Sequence, residues 1–161
     1  MSRRLAALAL LSAVSLVCAV SAFAADVLRV RAPSGLRIAP GASTHIAIQV
    51  VVKPGYHVQA NPVENPNLIP IVLALEATEG ISVGQALYPA AKRLRLPGDS
   101  QDLVVYDGTF AISVPVQVAS GAQVDTTKTL KGTLHYQACD ERHCLFPVTL
   151  PVAISLTVGE P

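Results

Sequence analysis

The chain has 161 residues, of which 51% are hydrophobic and 14% are charged, with a formal net charge of +1. This length corresponds to one domain, and an apolar chain with so few charges is not intrinsically disordered. The near-neutral charge also excludes the basic surface on which non-specific nucleic-acid binding depends.

The N-terminus has the pattern of a secretory signal peptide. Two arginines precede an uncharged stretch over residues 5–20, and Ser-Ala-Phe-Ala follows it. This pattern predicts a signal peptide over residues 1–24 and an exported domain over residues 25–161. A lipid-attachment signal at Cys18 is the alternative, although Val17 stands where such a signal has a small residue.

Export changes what the chain is expected to bind. Loss of the signal peptide reduces the basic residues from 12 to 10 against 11 acidic ones, so the net charge becomes −1. We therefore expect neither nucleic acid nor an anionic membrane surface as a partner. No later segment has the roughly 18 apolar residues of a membrane span, so we expect the exported domain not to cross the membrane.

The exported part alternates apolar and polar residues in short segments. Even-numbered residues from Thr44 to Val52 form one face of such a segment. The predicted strands are Ser43–Val52, Ile69–Leu75, Ile81–Leu87, Leu103–Tyr106, Phe110–Val118, Leu130–Gln137 and Val148–Val158. Seven or eight strands between Gly- and Pro-containing turns, without an amphipathic helix, predict an all-β fold, an immunoglobulin-like antiparallel sandwich of two sheets. A small β-barrel is the alternative.

Cys139 and Cys144 are the cysteines that remain after the predicted cleavage site. In an oxidising compartment such a pair tends to form a disulfide. A bridge that closes a ring of about six residues would contribute only roughly 2.2 kcal/mol of loop entropy. A weakly stabilising, accessible disulfide is suited to thiol–disulfide exchange.

The loop Asp140–His143 between the cysteines is entirely polar, and we expect it to be exposed. If the pair joins neighbouring strand ends, its Cα atoms would lie about 4.4–6.8 Å apart. The two acidic residues oppose thiolate formation at Cys139, whereas Arg142 and His143 favour it at Cys144, which is therefore the predicted attacking thiol. The alternative is a solvated turn without such an electrostatic effect.

The segment over residues 132–139, with Tyr136-Gln137-Ala138-Cys139 at its end and Cys144 followed by Pro147, resembles the N-terminal periplasmic domain of the thiol-disulfide interchange protein DsbD. Weaker similarities at residues 53–57, 88–89 and 106–108 extend the resemblance over residues 26–158.

The resemblance implies a periplasmic, immunoglobulin-like domain with Cys139 and Cys144 as its catalytic pair and no cofactor. Such a pair accepts electrons from a membrane or thioredoxin-like donor and passes them to disulfide isomerases or to thioredoxin-like proteins of cytochrome c maturation. The activity would be that of a protein-disulfide reductase, with the donor, the acceptor and the direction of flow left open. Tyr56 would flank the pair, or would merely pack at a sheet edge.

Two features differ from the family pattern. The chain stops after the sandwich, so we expect either that electrons come from a separate protein or that the function has diverged from that of the family. The family covers its cysteines with a loop that carries an aromatic residue, whereas residues 90–102 contain none. Leu94 or Leu96 would have to take that place.

Two further functions remain open. His135, Cys139, His143 and Cys144 are potential ligands for copper or zinc, although four intervening residues between the cysteines is a wide spacing, and two adjacent ligands can hardly reach one ion. The chain could also be a secreted binding module whose disulfide only holds a loop.

His45 and His57 are expected to be ordinary strand or surface residues whichever function is correct.

Overall fold

The computed structural model describes residues 27–98 and 100–161. The predicted signal peptide lies outside these residues. The described part contains strands and turns but no helix, and so offers no helix that could cross a membrane. Its strands are β1 (Leu28–Arg31), β2 (Leu36–Ile38), β3 (Ser43–Val52), β4 (His57–Gln59), β5 (Val72–Leu75), β6 (Ile81–Val83), β7 (Lys92–Leu94), β8 (Leu103–Tyr106), β9 (Thr109–Val118), β10 (Thr127–Tyr136), β11 (Ala138–Cys139) and β12 (Val148–Val158).

Four strands of ten or eleven residues form the body of the domain. β3 pairs with β9, and β10 pairs with β12, along nearly their whole length and in antiparallel register. Each alternates exposed and buried positions, which is the period of a strand with one face toward the core. The buried apolar side chains of all four belong to one core cluster, which removes them from water.

Hydrogen bonding divides the strands into three sheets of four. The first has the order β1-β3-β9-β6 and the second β2-β12-β10-β5, in which β2 runs parallel to β12. The third, β11-β4-β8-β7, consists of short strands and carries Cys139 on β11. We call it the cysteine sheet.

The predicted all-β, immunoglobulin-like fold is confirmed, but the described strands form three sheets rather than the predicted two, and the pairing of β2 with β12 is parallel rather than antiparallel. The bounds of Ser43–Val52, Leu103–Tyr106 and Val148–Val158 are those of β3, β8 and β12, and the strand predicted from Phe110 starts one residue earlier. The structure corrects three others: β5 and β6 are shorter than predicted, and β10 is shifted toward the N-terminus. The number of strands is also larger, because β1, β2, β4, β7 and β11 have only two to four residues each, too few for an alternation to be recognised as a strand.

Candidate functional site

The segment that leads to the cysteines is fixed by the core. Leu134 and Tyr136 on β10 are almost completely buried, and Ala138 on β11 packs in the same core cluster. Between the two strands, Gln137 Nε2 donates a hydrogen bond of 3.0 Å to the Leu145 carbonyl oxygen. This bond holds the chain that enters the cysteine loop against the chain that leaves it.

Cys139 and Cys144 are joined by a disulfide, and their Cα atoms lie 4.0 Å apart. This is shorter than the 4.4–6.8 Å expected. The reason is that the residues face each other in an isolated antiparallel bridge between two hydrogen bonds, from Leu145 N to Ala138 O and from Asp140 N to His143 O. Such a non-hydrogen-bonded pair is the close type of antiparallel pairing.

The two cysteines differ in exposure. Cys139 is 2% exposed, whereas Cys144 is exposed. The loop between them is exposed as expected at residues 141–143, whereas Asp140 is half-buried and Cys139 is covered, because Cys139 belongs to β11 and pairs with β4. Phe146, two residues after Cys144 in the sequence, is 88% exposed.

The acidic side chain at the start of the loop is directed to the loop's own backbone. Asp140 Oδ1 accepts hydrogen bonds of 2.7 Å from the backbone N–H groups of Arg142 and His143. These bonds hold the pKa of Asp140 below its usual value. The side chains of Arg142 and His143 are exposed beside Cys144, so their predicted effect on its thiolate stays a prediction.

Tyr56 lies at the edge of the cysteine loop. It is half-buried and shares a groove of about 440 Å³ with His57, Leu94, Asp107 and Glu141. Leu94 ends β7, so residues 90–102, which were expected to form a covering loop, contain a strand of the cysteine sheet. The structure brings Tyr56 and Leu94 to the same groove as the loop residue Glu141.

His57 is the site residue that sequence reasoning missed. It is 4% exposed, rather than an ordinary surface residue, and lies directly opposite Cys139 in the register of β4 and β11. Its Nε2 has no hydrogen-bond partner. Burial lowers the pKa of His57, while the charges of Asp107 and Asp140 act in the opposite direction. A β4 of only three residues gave no alternation from which this burial could be predicted.

The potential metal ligands are not assembled into one group. His135 lies on β10, where its Nδ1 is 2.9 Å from Thr149 Oγ1, and both cysteines are in the disulfide. Within residues 27–98 and 100–161 no three His, Cys, Asp or Glu side chains are arranged to hold a metal ion.

The model of the family described as "Thiol:disulfide interchange protein DsbD, N-terminal" matches residues 24–155. No curated protein matches the chain.

Among solved structures, the N-terminal periplasmic domain of ScsB from Proteus mirabilis is similar, with a TM-score of 0.56 and 17% identity over 84% of this chain. The match covers 48% of that protein, so the chain spans about half of its length. The DsbD N-terminal domain of Neisseria meningitidis in its reduced form gives a TM-score of 0.48 and 19% identity over 73% of this chain and 82% of that one.

Proposed function

This chain belongs to the family of DsbD N-terminal domains, and from that membership we propose that it is a periplasmic thiol–disulfide interchange protein. Its Cys139–Cys144 pair would pass two electrons from a membrane or thioredoxin-like donor to a thioredoxin-like acceptor. The observation that carries the proposal is the pairing of one exposed and one buried cysteine in a short hairpin.

The difference in exposure supports a separate role for each cysteine. In the reduced pair, the thiolate of Cys144 attacks a sulfur of the partner's disulfide, and a mixed disulfide forms. Cys139 then attacks Cys144 Sγ, the Cys144–partner bond breaks, and the partner leaves as a dithiol after it takes up protons. The pair is thereby oxidised to the intramolecular disulfide. A partner cannot reach Cys139 in the same way, because this residue is covered on β11.

A trapping experiment tests these roles. The partner is a thioredoxin-like protein with a single active-site cysteine, loaded as its mixed disulfide with nitrothiobenzoate. We expect the Cys139→Ala variant to release the coloured thiolate and form a covalent complex on a non-reducing gel. The matched Cys144→Ala variant, which keeps the buried cysteine, should react at least about tenfold more slowly. Equal reactivity of the two variants, or no complex with either, would overturn the proposal.

We assign Phe146 of this chain as a residue that contacts the partner protein. An exposed aromatic side chain two residues from a reactive cysteine can be buried only when a second protein covers that cysteine. In the same assay, Phe146→Ser should slow capture of the protein partner but not the reaction with a small disulfide. Val124→Ser is the control, because Val124 is 55% exposed and precedes the opposite end of β10. Similar effects of the two substitutions would contradict this assignment.

A further inference from the structure

The cysteine sheet has a second buried face, distinct from the face that packs in the core. Ala138, Val58 and Tyr106 are paired across β11, β4 and β8, and all belong to the core cluster. Residues paired in a sheet share a face, and successive residues alternate between faces. Cys139 and His57 therefore lie side by side on the opposite face.

This face is polar although it is buried. Gln59 and Val105 are paired on it and, like Cys139 and His57, are almost completely covered. Among the residues that the structure describes, the buried side-chain N and O atoms without a hydrogen-bond partner are His57 Nε2 and Gln59 Oε1. A buried polar atom without a partner destabilises a fold and is uncommon, so each such atom calls for an explanation.

The redox state of Cys139 explains why His57 Nε2 has no hydrogen-bond partner in this structure. Facing side chains in an antiparallel pair have Cβ atoms about 4.5–5.5 Å apart, which places the imidazole within reach of Cys139 Sγ. In the disulfide this sulfur has no hydrogen to donate. After reduction the thiol S–H is a donor, and a neutral imidazole nitrogen is its acceptor. The reduced thiol can therefore supply the hydrogen-bond partner that His57 Nε2 lacks in the disulfide form.

We propose that His57 accepts the proton of the Cys139 thiol when Cys139 attacks the mixed disulfide at Cys144. The proposal rests on the proposed function of the pair. In this step the Cys144–partner bond breaks, the Cys139–Cys144 bond forms, and the partner leaves as a thiolate. The Cys139 proton moves to His57 Nε2 and then to the departing thiolate or to water. Water alone is a poor acceptor here, because Cys139 is 2% exposed.

The charges around His57 suit a group that is neutral before the step and charged after it. Extension of the β4–β8 register places Asp107 on the other side of His57 from Cys139, and Asp107 lines the same groove. Asp140 follows Cys139, and Tyr56 and Glu141 also line the groove. Lys92, which is paired with Val105, also lies on this face and is bonded to Asp107. The carboxylates stabilise the imidazolium, while burial keeps the resting imidazole neutral.

The test separates attack from resolution. The fully reduced protein is mixed with dithiobis(nitrobenzoate) in a stopped-flow instrument. Attack by Cys144 releases a first nitrothiobenzoate, and resolution by Cys139 releases a second. We expect His57→Gln to slow the second release at least about tenfold at neutral pH and to leave the first within about twofold. His45→Gln is the matched control, because His45 is exposed on β3.

The pH profile provides a readout that a structural role would not change. In the wild type, the rate of the second release should increase as the pH rises through the lowered pKa of His57 and should then become constant. In His57→Gln, the rate should keep increasing as the pH approaches the pKa of the Cys139 thiol. A second release that His57→Gln leaves unchanged, or equal slowing of both releases, would overturn the inference alone. Absence of both releases in the wild type would overturn the proposed function and the inference with it.

A measurement on the wild type covers the case in which variants of His57 do not fold. The Nε2 resonance of His57 in ¹⁵N-labelled protein is compared between the oxidised and reduced states at one pH. A shift upon reduction is expected, because the nitrogen gains a thiol donor. Identical resonances in the two states would overturn the inference. His57→Phe, which keeps a buried ring without nitrogen, should lose the second release as His57→Gln does.

Discussion

At the scale of residues, the two cysteines of the pair are distinguished by burial more clearly than by charge. The loop composition predicted that acidic residues act on Cys139 and basic ones on Cys144. In the structure the Asp140 carboxylate is bonded to backbone N–H groups of its own loop, which already offsets part of its charge. Cys139 is protected because β11 pairs with β4, a contact between residues about 80 positions apart in sequence.

Asp140 is expected to order the cysteine loop in a pH-dependent way. Two backbone N–H donors lower the pKa of Asp140 in the folded state. Its contribution to the stability of the loop is therefore complete above the pKa that Asp140 has in the unfolded chain, and it is lost as the pH falls through the folded-state pKa. We predict that Asp140→Ala speeds hydrogen exchange of the Arg142 and His143 amides at least about threefold at pH 6–7. The difference should shrink as the pH falls through this lowered folded-state pKa, toward the smaller difference between Asp140→Asn and Asp140→Ala.

The matched control for this prediction is Glu141→Ala, which removes a neighbouring, exposed carboxylate of the same loop. It should leave both amides unchanged at every pH. Asp140→Asn keeps an oxygen acceptor without the charge and should be intermediate and independent of pH. Unchanged exchange in Asp140→Ala at neutral pH would show that the two bonds do not order the loop.

At the scale of elements, the close approach of β5 explains why residue 132, the first of the segment 132–139 that resembles the family, is a glycine. Gly132 is paired with Leu75 on β5 and with Val152 on β12. A Cβ atom there would overlap the Ala74 carbonyl oxygen and would lie 2.8 Å from the Leu75 Cα. Both are backbone atoms, which cannot move without breaking the pairing of β10 with β5. The glycine is thus required for β5 to approach the strand that leads to the cysteines.

We predict that Gly132→Ala lowers the free energy of unfolding by about 3 kcal/mol, since overpacking against backbone is not relieved by a rotamer change. Gly121→Ala is the control, because no atom lies within 4 Å of a Cβ there, and its effect should stay within about 0.5 kcal/mol. Urea denaturation of both variants measures the difference. A Gly132→Ala protein as stable as Gly121→Ala would contradict the prediction.

A long alternation made a strand easier to predict, although the bounds of the four-residue β8 were also predicted and the ten-residue β10 was shifted. β3 and β12 each alternate over ten or more residues, and their bounds were predicted without error. β4, β7 and β11 have three residues or fewer, too few for a period to appear, and their strand conformation depends on partners that are distant in sequence. The cysteine pair could be found from composition and spacing, whereas its neighbour His57 could not, because β4 and β11, which place the two side by side, are such strands.

At the scale of the whole molecule, the disulfide and the core are separate. In the described part of the chain the core cluster contains side chains from all three sheets, but Cys139 lies on the opposite face of the cysteine sheet and is not a member of it. The long pairings of β3 with β9 and of β10 with β12 do not involve the cysteine loop. Reduction therefore removes a constraint on one hairpin and leaves the packing of the sandwich intact.

This separation predicts that the reduced protein stays folded. The disulfide closes a short ring and should contribute only roughly 2.2 kcal/mol to the free energy of unfolding through loop entropy. Reduction should therefore lower the Tm by less than about 10 °C. Circular dichroism with and without dithiothreitol measures this change. Because both states are folded, the pair should equilibrate reversibly with glutathione or dithiothreitol, at a potential above about −300 mV. The Cys139→Ala/Cys144→Ala double variant cannot form the disulfide and is the control, because dithiothreitol should leave its Tm unchanged. Unfolding upon reduction, or a potential well below −300 mV, would instead favour a structural disulfide in a binding module, because a bridge that the fold requires resists exchange.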